Sequence, residues 1–238
     1  MKTFYWGDVP QNFGDVLTAN ILNHYGIAFK HTNKAEQANF FATGSIIRLA
    51  QNGATILGSG CIRENEDLDR SNIYRFVRGP ITRDRVLECG GECPEIYGDP
   101  ALLLPRFIPP VEKRHKVGFI PHYSHRNKHT KQLAKTNGWH YIDLVDDNPV
   151  NPAQEISSCE TIMSTSLHGI IAAHAYGIPA AHVTTTNTCQ LWGDGTKFLD
   201  YYASVGLIHK LYGTDNARFE LGTLPDLDVI EGIFKEYV

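Results

Sequence analysis

Residues 164–183, STSLHGIIAAHAYGIPAAHV, put His168 in the first turn of a small apolar helix. Leu167, Ile170, Ile171 and His174 recur there at helical spacing and mark the face that meets the core. His168 falls on another face, with the small residues Ala172 and Ala175 one and two turns on. Ser164, Thr165 and Ser166 precede it. A helix N-terminus rich in hydroxyls offers free backbone N–H groups and is a ready anion site. The helix dipole disfavours a charged imidazole at that end, and a bound phosphate favours it. A histidine so placed can exchange a proton with an anionic substrate. His24, His174 and His182 read as structural histidines.

Other chemistry-bearing residues fall at the ends of apolar runs. In NFGD, residues 12–15, Asn12 and Gly14 form a turn and Asp15 is expected to cap a helix, with the carboxylate also open to a catalytic use. Ser59 and Gly60 of GSG let a backbone approach a ligand, but no GxGxxG follows and no dinucleotide site is read. In VRGPITRDRV, residues 77–86, Arg78 ends a strand, and Arg83 and Arg85 open a helix where their charge opposes the dipole. An anion bound there would offset that penalty, since a guanidinium grips carboxylate or phosphate with two bonds. Arg78 and Arg83 are the anion candidates and Arg85 reads as a solvent residue. Asp99 in GDPALLLP is expected to expose its carboxylate at a rim, where it orients a hydroxyl or an arginine, or only makes a turn. His122 ends the strand of VGFIPHY and either meets ligand or belongs, with His125, Arg126 and His129, to a solvated loop. Lys197 starts a later helix.

The elements that must hold these residues alternate between strand and helix. TFYWG, FFATG, ATILGSG and NIYRFVRG read as strands, DVLTANILNHYG and TRDRVLECGG as helices. A proline- and charge-rich stretch at 104–116 reads as an inter-domain linker. Strands KVGFIPHY, YIDLV, TIMS and AAHVTT follow, separated by helices HTKQLAKTNGW, NPAQEISSC and the His168 helix. KFLDYYASVG and DLDVIEGIFKEY close the chain as helices. Such alternation predicts an α/β fold with parallel sheets, arranged as two Rossmann-like domains facing a cleft. The expected division is 1–107 and 108–238, the last helix being free to pack back on the first domain.

Composition narrows the function. A net charge of −4 argues against a nucleic-acid partner and leaves room for a local basic pocket. The N-terminus has no apolar stretch of signal-peptide length, and no run approaches the roughly 20 residues of a membrane span. The expectation is a cytoplasmic protein. Cys61, Cys89, Cys93, Cys159 and Cys189 contain no CxxC, so no zinc or other metal site is expected.

Taken in order, NFGD, GSG, VRGPITRDRVL, GDPALLLP, VGFIPHY and SLHGIIAAHAYGIPA resemble the polysaccharide pyruvyl transferases over about residues 5–207. The resemblance implies a GT-B-like pair of Rossmann-type domains. It implies transfer of pyruvate from phosphoenolpyruvate (PEP) to sugar hydroxyls as a ketal, in exopolysaccharide or cell-surface glycan synthesis. PEP is then the co-substrate, with no further cofactor. The acceptor is a saccharide, lipid-linked or soluble, and a lipid-linked one would bring the protein to the inner membrane face. The family's PEP-contacting arginine falls on Arg78, with Arg83 as the second match. Its histidine falls on His168 and a lysine of some members on Lys197. Many members have arginine before the Leu-His pair where this chain has Ser166. The missing charge would come from His122, Arg83 or Lys197. In this reading Arg78, Arg83, Lys197 and the amides at Ser166, Leu167 and His168 hold PEP, His168 moves protons, and Asp99 or Asp15 positions or activates the acceptor. Asn12, Gly14, Ser59, Gly60, His122 and Thr165 line the acceptor side of the cleft. Two alternatives stay open: a glycosyltransferase of the same fold with a nucleotide-sugar donor, and a catalytically silent saccharide-binding subunit.

Overall fold

The computed structural model describes residues 1–7, 11–146, 148–186 and 188–238. Strands β1 (Lys2–Phe4), β2 (Lys30–Thr32), β3 (Phe40–Phe41), β4 (Thr55–Leu57) and β5 (Ile73–Phe76) form a parallel sheet in the order β2-β1-β3-β4-β5. Strands β6 (His115–Ile120), β7 (His140–Tyr141), β8 (Cys159–Ser164), β9 (Ala180–Thr184) and β10 (Tyr212–Gly213) form a second parallel sheet, β10-β9-β8-β6-β7. Counted from its own first strand, each sheet has the same order, 2-1-3-4-5. The winding therefore reverses between β1 and β3 and again between β6 and β8. In open parallel sheets a crevice forms outside the carboxyl ends of the strands at such a reversal.

Successive strand residues point to opposite faces, and here both faces are apolar. Phe40, Leu57 and Phe76 join a cluster that continues through Leu102, Leu103 and Leu104 to Ile120 and Ile162 of the other sheet and to Ile171 in the helix that follows β8. Phe4, Phe41 and Ile56 join a second cluster on the first sheet's far face. Phe119, Met163 and Val183 join a third on the far face of the second sheet. One apolar layer thus lies between the two sheets, and the start of the 104–116 stretch belongs to it: Pro100–Arg106 is a 3₁₀ helix with Leu102–Leu104 fully buried.

Helices α1 (Phe13–His24), α2 (Pro80–Glu88), α3 (Lys128–Thr136), α4 (Val150–Ser157), α5 (Leu167–Ala175), α6 (Thr196–Ser204) and α7 (Leu227–Lys235) cover the sheets. On α7, Phe234 stacks on Tyr25 and meets Phe76 edge-on, and just beyond it Glu236 pairs with Arg75. Among the described residues no helix is long and apolar enough to cross a membrane.

Three boundaries differ from expectation. Helix α1 begins at Phe13, whose N–H donates to Leu144 O across the two halves. Asn12, not Asp15, is the cap residue, and its side chain donates to Asp15 instead. Helix α2 begins at Pro80, because proline's missing N–H and fixed φ suit the first helical position. The expected strand YIDLV leaves only His140–Tyr141 in β7, since Asp143 Oδ1 accepts the Val145 N–H and turns the chain.

Candidate active site

Loops from the carboxyl ends of both sheets enclose a cavity of about 720 Å³, at the two points where the winding reverses. Trp6 follows β1, Gly44 and Ser45 follow β3, His122 follows β6, and Ser166, Leu167 and His168 follow β8. Asn12, Asp15 and Lys197 complete the chemically active part of the lining. Seven of the residues singled out in the sequence meet on this one wall.

His168 is the second residue of α5. Ser166 caps the helix without a side-chain bond, so the amides of Leu167 and His168 have no intrahelical acceptor. The imidazole lies against Gly14, where any Cβ would collide with the ring. Among the described residues its Nε2 has no hydrogen-bond partner, and it stands 3.9 Å from Asp99 Oδ2, which has none either. Asp99 is not exposed at a rim. It caps the 3₁₀ helix through Oδ1, which accepts the Ala101 N–H, and it is fully buried behind His168. Burial pushes the Asp99 carboxyl up to about 6, against the pull of the Ala101 amide and Arg78. Burial, then Arg78 and Lys197, hold His168 down to about 3. The pair is therefore a neutral imidazole backed by a carboxylate, each short of one hydrogen bond.

The tight contact with Gly14 gives a test of what holds the ring. Gly14→Ala is expected to cost about 1–3 kcal/mol through overpacking. The displaced ring gains solvent, so its pKa rises from about 3 toward the ordinary histidine value, read from the ring protons in an NMR titration. An unchanged titration would mean that Gly14 does not hold the ring.

Lys197 opens α6 and has no ion-pair partner among the described residues. Burial, then the neighbouring Arg78, lower its ammonium to about 8, partly countered by Asp15. Asp15 is raised to about 6 by burial, against the Asn12 amide bond and Lys197. His122 accepts the Ser124 N–H at Nδ1, which assigns its neutral form with the proton on Nε2. Its pKa is held down to about 3 by burial and by Lys197.

Arg78 stands behind this wall rather than in it. It is fully buried, and Gly60 lies against its guanidinium with no room for a Cβ. Nε donates to Asp200 Oδ2 at 3.1 Å, Nη1 to Ser45 Oγ at 2.6 Å and Nη2 to Cys61 O at 2.6 Å. Asp200, on α6, also accepts the Thr82 N–H and hydroxyl at the N-terminus of α2. The anion expected at Arg78 and at that helix end is thus a carboxylate of this chain, and the helix dipole favours it there. Arg83 lies away from the cavity, its Nε donating to Cys93 O. Ser59 is buried and donates to Gly44 O beneath the cavity wall. Buried Thr165 accepts the His122 N–H at its hydroxyl oxygen and donates that hydroxyl to Nδ1 of His125, whose Nε2–H bonds Cys189 O. His125 is accordingly no solvated-loop residue. His174 is structural, held by the Tyr201 hydroxyl and by Glu220 O.

Sequence reading missed Asp200 and the exposed rim of Trp6, Tyr123 and Trp192. Asp200 leaves one signal: it is a lone carboxylate among Phe198, Tyr201 and Tyr202 on an otherwise apolar helix face. The rim tryptophans leave none, because a single aromatic in a loop has no period.

A family model described as polysaccharide pyruvyl transferase matches residues 40–187. The chain is 34% identical over 182 residues to uncharacterized protein L143 of Acanthamoeba polyphaga mimivirus, across 73% of this chain and 62% of that protein. It is 26% identical over 230 residues to succinoglycan biosynthesis protein ExoV of Rhizobium meliloti (strain 1021), across 88% of this chain and 66% of that one. The matches span less than two thirds of either relative's length. No solved structure matches.

Proposed function

The chain belongs to the polysaccharide pyruvyl transferase family, and from that premise we propose that it moves pyruvate from PEP onto two hydroxyls of a saccharide as a ketal. The observation that carries this reading is the His168–Asp99 pair. Two buried polar atoms without partners among the described residues meet where His168 lines a cavity and Asp99 backs it, and the same cavity holds the N-terminus of α5 and a lysine with no ion-pair partner among those residues. The GT-B-like arrangement of two domains, 1–107 and 108–238, is part of the same proposal. Its support is the two like-ordered sheets with their reversal points on one cavity.

In this scheme Lys197 and the Leu167 and His168 amides take the carboxylate and phosphate of PEP. The bound anion raises His168, which takes up a proton and is balanced by the Asp99 carboxylate. His168 gives that proton to C3 of PEP, and the first hydroxyl adds to C2 while its own proton passes back to His168. The C2–O bond to phosphate then breaks, phosphate leaving with the proton. The second hydroxyl closes the ketal and returns its proton to His168. Two hydroxyls and PEP become one ketal and one hydrogen phosphate, and the histidine ends as it began. Asp15 accepts a hydrogen bond from the acceptor hydroxyl. Arg78 acts from behind the wall, holding Ser45 and fixing α6, and adds positive potential. A PEP donor would set the reaction in the cytoplasm, at the inner membrane face when the acceptor is lipid-linked.

The deciding experiment is incubation with PEP and saccharide acceptors, following phosphate release and product mass. Acceptor-dependent phosphate release with a gain of one pyruvate less one water supports the reading. PEP bound to no extent, with a nucleotide sugar bound instead, would replace it with glycosyl transfer.

Binding alone gives a pH test. PEP affinity should weaken by about tenfold per pH unit through neutrality, because His168 takes up a proton on binding, and should fall about a further tenfold per unit above pH 8, as Lys197 loses its proton. Lys197→Met should bind PEP weakly and without that steepening. A wild-type slope that does not steepen up to pH 10 would remove Lys197 from the donor site.

A further inference from the structure

A second cavity, about 290 Å³, opens beside the first and shares Arg48 and Trp192 with it. Arg63, Asn65, Glu66 and Asp67 complete its lining. Trp192 is 56% exposed, yet its ring is held: the guanidinium carbons of Arg48 and Arg63 lie 4.9 and 5.1 Å from the ring centroid. The loop beneath it is pinned to the first half, because the Glu64 N–H donates to Asp194 Oδ2 and Gly193, at φ +103°, sits against Ile62 O. A large aromatic surface is thus kept rigid in water, where apolar area is normally withdrawn.

Two arginines face Glu66 and Asp67, so the formal charges of this cavity cancel, and Arg48 already pairs with Glu66 at 3.6 Å. A phosphate or carboxylate gains little here. A neutral pyranose fits the set: its C–H face meets an aromatic ring, and its hydroxyls both donate and accept, as Asn65, Asp67 and Arg63 require. We propose that this second cavity is a subsite for a neutral sugar unit of the acceptor, next to the unit being modified, with Trp192 as its specificity-determining platform. The proposal rests on the pyruvyl-transfer reading for which unit is modified, not for the sugar binding itself. A saccharide bridging both cavities is thereby held in register with His168.

The test is calorimetry and saturation-transfer NMR on the full chain, with glucose, galactose and their α- and β-linked tetrasaccharides as probes. PEP and inorganic pyrophosphate are titrated separately. The wild type should bind at least one tetrasaccharide about tenfold more tightly than its monosaccharide. Trp192→Ala should erase that gain, Trp192→Phe should keep part of it, and PEP affinity should be the same in all three. Thermal melts should agree, since the side chain is largely exposed. No gain with chain length in the wild type, or a gain that survives Trp192→Ala, overturns the subsite. Pyrophosphate binding that depends on Trp192, with no tetrasaccharide binding, overturns the neutral sugar. A Trp192-dependent gain in a protein that does not bind PEP upholds the subsite and removes the pyruvyl-transfer reading.

Discussion

Arg78→Ala is expected to destabilise the fold by about 3–5 kcal/mol, the cost of leaving a buried charge without its partner. Asp200 would keep its carboxylate at zero exposure with only Thr82 to satisfy it. Ser45 Oγ and Cys61 O would lose their donors as well. Against a typical total of about 5–15 kcal/mol, such a loss brings the protein close to unfolding. Lysine is no substitute, because a single ammonium cannot reach Asp200, Ser45 and Cys61 together. Asp200→Asn keeps an acceptor for the Thr82 amide and removes the charge, so Arg78→Met with Asp200→Asn should be far more stable than Arg78→Ala alone. Urea unfolding of the wild type, Arg78→Ala and the double variant reads the difference. Equal midpoints for wild type and Arg78→Ala would mean that the pair carries no load. The sequence pointed to Arg78 as a hand on the donor. Its burial makes it first a tie between the halves, so weakened PEP binding by this variant is to be read only where the fold survives.

Asp99→Asn should lower turnover by roughly 10²–10⁴-fold, the range of a lost acid–base group, as should His168→Ala. The two differ in a way that separates chemistry from positioning. Free His168 is held near pKa 3, so PEP binding at neutral pH must draw a proton into the site for the histidine to act. Calorimetry in two buffers of different ionisation heat measures that uptake. The wild type should take up close to one proton per PEP. Asp99→Asn should take up much less, since no carboxylate remains 3.9 Å from Nε2 to balance the imidazolium. His168→Ala should take up none, while PEP still binds through Lys197 and the α5 amides. Uptake unchanged in Asp99→Asn would leave Asp99 a helix cap and nothing more.

Read from sequence alone, strand and helix alternate and both sheets are parallel, because period-2 and period-3.6 apolar patterns are local and need no partner to be seen. The clustering of Asp15, His122, His168 and Lys197 was legible for a similar reason: each stands where an apolar run ends, and in parallel sheets the carboxyl ends of strands converge. What local pattern could not carry was which charges end inside. Asp99 and Arg78 sit in loops that look exposed in sequence, but the apolar layer between the sheets closes over one, and α6 delivers a carboxylate to the other. Burial depends on what arrives from distant chain, and Asp200 lies 122 residues from Arg78. The same holds for Trp192, which becomes a platform only when Arg48 and Arg63 of the other half reach its ring. Sequence determined the elements and which of their ends face the cavity. Tertiary structure decided which of the charged groups at those ends meet water, the cavity or each other, because desolvation and pairing are properties of the assembled surface.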